Sequence, residues 1–190
     1  MSDPVVVGIS GASGAALGVR VLELLRDAGA ETHLVITDAG AQVAALETGL
    51  DPATLSALAA HTWDVADFTA PIASGTFSTA GMIVAPCAIR TLSAVSCCRS
   101  SNLLERAADV TLKERRPLVL MVRETPLHAG HLRQMLEAVQ AGATIMPPVP
   151  AFYAGLQSVE DLISQTAARA LVPLGLEPGV LRRWKGHEGG

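Results

Sequence analysis

Five short apolar runs punctuate the chain, and most are followed by a stretch with helical spacing. The runs lie in 4–10, 31–37, 81–86, 117–122 and 143–146. Runs this short and rich in Val, Ile and Leu read as strands buried on both faces. Strands that alternate with helices predict an open parallel sheet wound by helices on both faces. Helical patterns follow at 16–25, 39–43, after Cys87 through Val95, at 103–112, 128–140, and from Ser158 to about Leu171. Gly29 and Gly142 are placed as helix stops. Thr37-Asp38, Asn102 and Ser158 are placed as N-caps, and Asp51-Pro52 opens a short helix. Residues 63–79 show no firm period, and Pro71 to Thr76 reads as a loop of small residues.

In such sheets ligands sit beyond the C-terminal ends of the strands. The residues with chemistry fall there: Gly11 to Ser13, Thr37, Cys87 to Thr91, Arg123-Glu124 and Tyr153. The first of these turns has glycines at positions 8, 11 and 14, with Ser13 inside it. A Gly-rich turn into a helix presents backbone N–H groups, at the positive helix end, to a phosphate. The spacing is neither the dinucleotide fingerprint nor a P-loop. It fits a phosphate-sized anion or a mononucleotide, or simply a tightly packed turn.

At 190 residues, with 49% apolar residues, the chain (1–190) is expected to form one domain, with a tail from about 177 that is loose. Only 17% of residues are charged, which implies apolar surface buried against other copies. A net charge of −4 without a basic stripe argues against nucleic acid. No apolar run is long enough to span a membrane, and no signal segment is visible. Cys87, Cys97 and Cys98 cannot make a disulfide framework, so a reducing cytoplasm is expected. No CxxC pair suggests zinc, and His128 and His131 fit a solvated helix face better than a metal site.

The chain resembles the UbiX-type flavin prenyltransferases over roughly residues 4 to 185. The blocks that carry the resemblance are Gly11 to Ala15, Pro71 to Gly75, Ala85 to Cys87 with Thr91 to Ala94, Asn102 to Val110, Leu112 to Arg116, Arg123 to Leu127, and Pro150 to Tyr153. The resemblance implies a flavodoxin-like or Rossmann-like three-layer domain and a homo-oligomer, commonly a dodecamer. It implies FMN as the prenyl acceptor in reduced form and dimethylallyl phosphate as donor, without a metal. It also implies that the prenylated FMN passes to a UbiD-type decarboxylase.

The same resemblance assigns FMN contacts to Gly11, Ala12, Ser13, Thr37, Ala88, Ile89, Arg90, Thr91 and Arg123. It assigns the donor to Ser74, Lys113, Tyr153, Arg169 and Trp184, some of them from a neighbouring subunit. Ser13 and Glu124 are the implied catalytic groups. Cleaving carbon from a phosphate oxygen builds anionic charge, which fixed cations and hydroxyl donors stabilise. Arg grips phosphate through two parallel bonds and Lys acts as a point charge. Glu124 is suited to give or take a proton, and Ser13 to relay one.

Each of these residues has a plainer reading. Arg123 and Glu124 also fit an ion pair at a strand end, Lys113 a helix-end charge, Tyr153 simple packing, and Arg169 a solvated charge. Cys87 fits a small buried apolar residue. Two departures from the family stand out. Ala88 replaces a serine, a loss of about 1 kcal/mol of grip. Cys98-Arg99-Ser100-Ser101 replaces a Gly-containing turn. Two other functions compete. An FMN-dependent peptidyl-cysteine decarboxylase would use an active-site His, and no histidine lies between His61 and His128. A non-catalytic FMN-binding subunit of an aromatic acid decarboxylase would not need the set of Lys113, Arg123, Glu124, Tyr153 and Arg169.

Overall fold

Alternate side chains of the first strand, β1 (Val5–Ile9), enter two separate cores, because a strand turns successive residues to opposite faces. Val5, Val7 and Ile9 pack against α1 (Ala15–Asp27) and α7 (Val159–Leu171), through Leu17, Val21, Leu24, Leu25, Ala167 and Leu171. Val6 faces the other way, toward Leu103, Leu104, Ala107 and Ala108 of α5 (Leu103–Lys113). Burying each such Val or Leu contributes about 1.5–3 kcal/mol. The two apolar layers therefore outweigh any local helix preference in fixing the fold.

The computed structural model describes residues 3–186. The remaining elements are β2 (Thr32–Ile36), α2 (Asp38–Thr48), α3 (Pro52–Ser56), β3 (His61–Trp63), β4 (Gly81–Cys87), α4 (Ile89–Ser96), β5 (Leu118–Val122), α6 (Ala129–Gln140) and β6 (Thr144–Ile145). All strand pairs are parallel, in the order β3-β2-β1-β4-β5-β6. This is the expected flavodoxin-like or Rossmann-like arrangement, with six strands where the apolar runs marked five. The sixth, β3, lies just ahead of the stretch without a period. It is a three-residue edge strand, half exposed, and it is held by the pairing of His61 with His33.

The caps fall where expected. Thr37 accepts from the Gly40 N–H at 3.0 Å, Asn102 from Glu105 at 2.9 Å and Ser158 from Asp161 at 3.0 Å. Glu105 returns the favour, accepting from the Ser101 N–H at 2.7 Å, which closes a reciprocal cap. The second helix runs on to Thr48, well beyond its expected end. On α6 only Ala138 is buried, and Leu132, Leu136 and Val139 form an exposed apolar stripe.

The tail beyond 177 is tied to the body as far as Arg182. The Gln165 amide brackets the Arg182 backbone with bonds of 2.8 and 2.9 Å, and the Arg182 guanidinium donates to the Ala154 carbonyl at 2.8 Å. Positions 187–190 of the expected loose tail lie outside the described residues.

Candidate active site

The turns after β1, β2 and β4 converge on one crevice at the C-terminal rim of the sheet. Ser10 builds the junction. Its hydroxyl donates to the Pro86 carbonyl and accepts from the Ala88 N–H, both at 2.8 Å, and it is fully buried. The end of β1 is thereby locked to the start of α4. Sequence reasoning passed over Ser10, because its partners lie 76 and 78 residues away.

A cavity of about 370 Å³ opens there, lined by Gly11, Thr37, Asp38, Ala39, Val65, Ala88, Arg90, Thr91, Asn102 and Glu105. That volume is in the range of small-ligand pockets. At Gly11 any side chain would drive into the Ala39 side chain, so α2 closes directly over the first turn. At the start of α4 the cap residue is Ala88, and among the described residues no side chain caps the first-turn N–H groups. Those donors, the Arg90 guanidinium and the Thr91 hydroxyl suit a phosphate at a positive helix end. The donor set and the close glycine wall fit a flavin mononucleotide.

The first turn itself is different from what its glycines suggest. The N–H groups of Gly14 and Ala15, at the start of α1, already donate to the Glu47 carboxylate at 2.8 and 2.9 Å. The anion at that helix end is thus a side chain of α2. Partial burial alone would raise the Glu47 carboxyl. The hydrogen bond from Ser13, those from Ala15 and Gly14, and the Arg123 charge together hold it below the ordinary carboxylate range. Glu47 was not among the expected site residues, yet it joins two of them, Ser13 and Arg123.

The other expected residues form separate groups. Arg123 and Glu124 follow β5 and are exposed. The Arg123 N–H donates to the Cys87 carbonyl at 3.1 Å, and Glu124 accepts from the Thr125 N–H at 3.0 Å. Lys113, at the end of α5, pairs with Glu114 and stands directly over Gly75, beside Ser74. Tyr153 meets Trp184 edge to face with ring centroids 5.6 Å apart, and both are exposed. Arg169 is exposed on the last turn of α7. Burial pushes the Cys87 thiol up to about 12, so it is inert and apolar here.

At the opposite rim Glu31, His33 and His61 gather, with their ligand atoms within 4.8 Å of one another. The Trp63 indole N–H donates to His33 Nδ1 at 3.0 Å. The ring proton therefore sits on Nε2, which points at Glu31 Oε1 3.3 Å away. With its proton there, Nε2 has no lone pair for a cation, and the trio is a hydrogen-bonded chain.

A six-stranded parallel sheet with a mononucleotide-sized crevice at its C-terminal rim defines a nucleotide-binding α/β class. Comparison narrows it. The flavoprotein family model matches residues 2–171. Flavin prenyltransferase UbiX of Thauera aromatica is 50% identical over 184 residues, covering 97% of this chain and 95% of that protein. The mitochondrial flavin prenyltransferase PAD1 of Saccharomyces cerevisiae is 45% identical over 182 residues, covering 96% and 75%. The crystal structure of AnUbiX (PadA1) with FMN and dimethylallyl pyrophosphate superposes with a TM-score of 0.95 at 46% identity, over 99% of this chain and 100% of that one. A dodecameric FMN-dependent UbiX-like decarboxylase from Escherichia coli O157:H7 gives 0.93 at 43% identity, over 96% and 100%. The chain belongs to the flavoprotein family, among its UbiX-type flavin prenyltransferases.

Proposed function

We propose that this protein transfers a dimethylallyl group from dimethylallyl phosphate to reduced FMN. Two anion seats carry the reading. One is the uncapped start of α4 beside Arg90 and Thr91, and the other is Lys113 above Ser74-Gly75. A reaction between a phosphorylated cofactor and a phosphorylated donor needs both. The relatives named for prenyl transfer, and the neighbouring structure that holds FMN and dimethylallyl pyrophosphate, support the same assignment.

Gly11, Ala12, Ser13, Thr37, Ala88, Ile89, Arg90, Thr91 and Arg123 would hold the flavin. Bound reduced FMN supplies the electron-rich ring that takes up the prenyl group. Ser74 and Lys113 would take the donor's phosphate, and their charge and hydroxyl donors offset the charge that grows as the carbon–oxygen bond breaks. Glu124, on a strand end beside Arg123, is placed to exchange a proton with the departing phosphate. Ser13, hydrogen-bonded to Glu47, can pass a proton along that pair.

Tyr153, Trp184 and Arg169 are exposed, and Arg169 lies on α7, which packs on the opposite face of the sheet from α5. We assign them to the donor site of a neighbouring copy in a homo-oligomer, in line with the dodecameric relative. The product would go to a UbiD-type decarboxylase. No helix among the described residues is long and apolar enough to cross a membrane. Free thiols at Cys87, Cys97 and Cys98 suit the cytoplasm as the site of action.

The test is anaerobic incubation with reduced FMN and dimethylallyl phosphate, followed by mass spectrometry of the extracted flavin. The expected product is heavier by one isoprenyl unit. Glu124→Gln should slow its formation by about 10²-fold or more while FMN binding persists. Unmodified flavin, beside a working enzyme of known activity, would overturn the reading.

A further inference from the structure

The loop that carries Ser74 is built on two arginines outside the expected site residues. Burial alternates along it, with Ser74, Thr76 and Ser78 exposed and Ala73, Gly75, Phe77 and Thr79 covered. The segment leaves a 3-10 turn at Pro71–Ala73 and bends again at Gly75-Thr76, where the Phe77 N–H donates to the Ser74 carbonyl at 3.3 Å. Three of its carbonyls point at guanidinium groups. Arg106 Nε donates to the Ala73 carbonyl at 3.0 Å. Arg116 donates to the Gly75 carbonyl at 2.9 Å, the Phe77 carbonyl at 2.8 Å and the Thr79 hydroxyl at 3.3 Å.

Arg116 reaches those carbonyls because of the way α5 ends. Arg115 takes the left-handed conformation, at φ 57°, where residues other than glycine are strained. The N–H groups of Arg115 and Arg116 turn back to the Leu112 and Thr111 carbonyls, both at 2.9 Å. The helix stops, Lys113 stays above the loop, and Arg116 passes to its covered side. A methyl group at Gly75 would collide with both the Lys113 ammonium and the Glu114 carboxylate. The Ser74 and Thr76 hydroxyls lie 2.9 Å apart on the exposed side. One ammonium, the Glu114 carboxylate paired with it and two hydroxyls are thus gathered around a glycine that lets them approach.

We propose that Arg116 is a positioning residue for the donor's phosphate. It acts through the carbonyls of Gly75 and Phe77, and fixes the Ser74 and Thr76 hydroxyls beside Lys113 as one anion-binding group. The proposal rests on the reading of Ser74 and Lys113 as donor contacts, and it adds Thr76 to them.

The experiment uses the full-length protein with reduced FMN and dimethylallyl phosphate. Four variants are compared with the wild type: Arg116→Met, Arg116→Lys, Lys113→Met and Ser74→Ala. For each, the donor KM, kcat, FMN Kd and melting temperature are measured. Arg116→Met is expected to raise the donor KM at least tenfold, with kcat and the FMN Kd within about twofold. Arg116→Lys, which can reach a single carbonyl, should fall between it and the wild type. A merely structural role would lower the melting temperature and leave the donor KM in place. If Lys113→Met raises the KM and a folded Arg116→Met does not, the inference is overturned and the donor site stands. If neither Lys113→Met nor Ser74→Ala moves the KM, the donor site itself is misplaced. Should Arg116→Met not fold, Arg116→Lys decides, and a donor KM raised less than threefold counts against the proposal.

Discussion

The Glu47 carboxylate lies 2.8 Å from the Gly14 N–H, at the start of a helix to which it does not belong. A carboxylate there satisfies two backbone donors and meets the positive helix end. Glu47→Gln should therefore cost about 0.5–1 kcal/mol at neutral pH, the lower part of the range for a capping charge because Glu47 is exposed. Its carboxyl is held below the ordinary 4.5 in the fold. The unfolded chain thus takes up the proton first, and the stabilisation present above pH 4.5 is lost as the pH falls through the folded value. Urea unfolding of both proteins between neutral and acid pH should show their difference shrinking below that point. A difference independent of pH would mean that the charge is not what matters.

Ala88 stands at the cap of α4 without a side-chain oxygen. Ala88→Ser supplies one, which can accept from a first-turn N–H and donate to a phosphate at the same time. The variant should gain about 1 kcal/mol of stability without flavin. It should also bind FMN about fivefold more tightly, the worth of one neutral hydrogen bond. Thermal melts and flavin fluorescence titration measure the two effects. A protein that melts higher with no gain in FMN affinity would move the phosphate away from α4.

Cys98 closes α4 in the left-handed conformation, at φ 53°. Its N–H and that of Arg99 turn back to the Val95 and Ala94 carbonyls, at 3.1 and 2.8 Å. The turn thus keeps a glycine's shape with a cysteine in it. Cys98→Gly should stabilise by about 0.5–1 kcal/mol, the relief of strain less the extra freedom of the unfolded chain. The urea midpoint should rise with the slope unchanged. A fall would show that the thiol packs usefully.

His33 is buried at the far rim, and burial holds its imidazole below 6.5 despite a hydrogen bond to Glu31. Below that pH the unfolded chain binds the proton that the folded ring resists. Stability should therefore fall as the pH drops from about 6.5 toward the folded value. Protonation also turns Nδ1 from acceptor to donor, against the Trp63 indole N–H. Trp63 emission followed against pH in the Trp184→Phe protein should change in the same window, and His33→Gln should abolish both responses. A profile unaltered by that substitution would place the titration elsewhere.

The central strands were legible in the sequence because burial on both faces leaves an unbroken apolar run. Thr37, Asn102 and Ser158 were legible because a cap and its partner lie three residues apart. β3 was not, since an edge strand of three half-exposed residues has no room for a pattern. Glu47 was invisible for another reason. It acts on Gly14, 33 residues earlier, and no local spacing records such a pair. Arg116 was invisible in the same way, because its partners are carbonyls 39 and 41 residues back. The first turn was legible in part. Gly11 does line the crevice, while the helix start behind it already holds an anion that belongs to the chain.

The outermost strands of the sheet have three and two residues. Two molecules meeting rim to rim find almost no exposed backbone ladder to extend. Self-association by strand addition is closed to them. Whatever contacts copies make must be written in side chains, on surfaces such as the Leu132, Leu136 and Val139 stripe. Assembly and folding are then governed by different residues, so single substitutions on the helical surfaces can take a complex apart and leave each subunit whole.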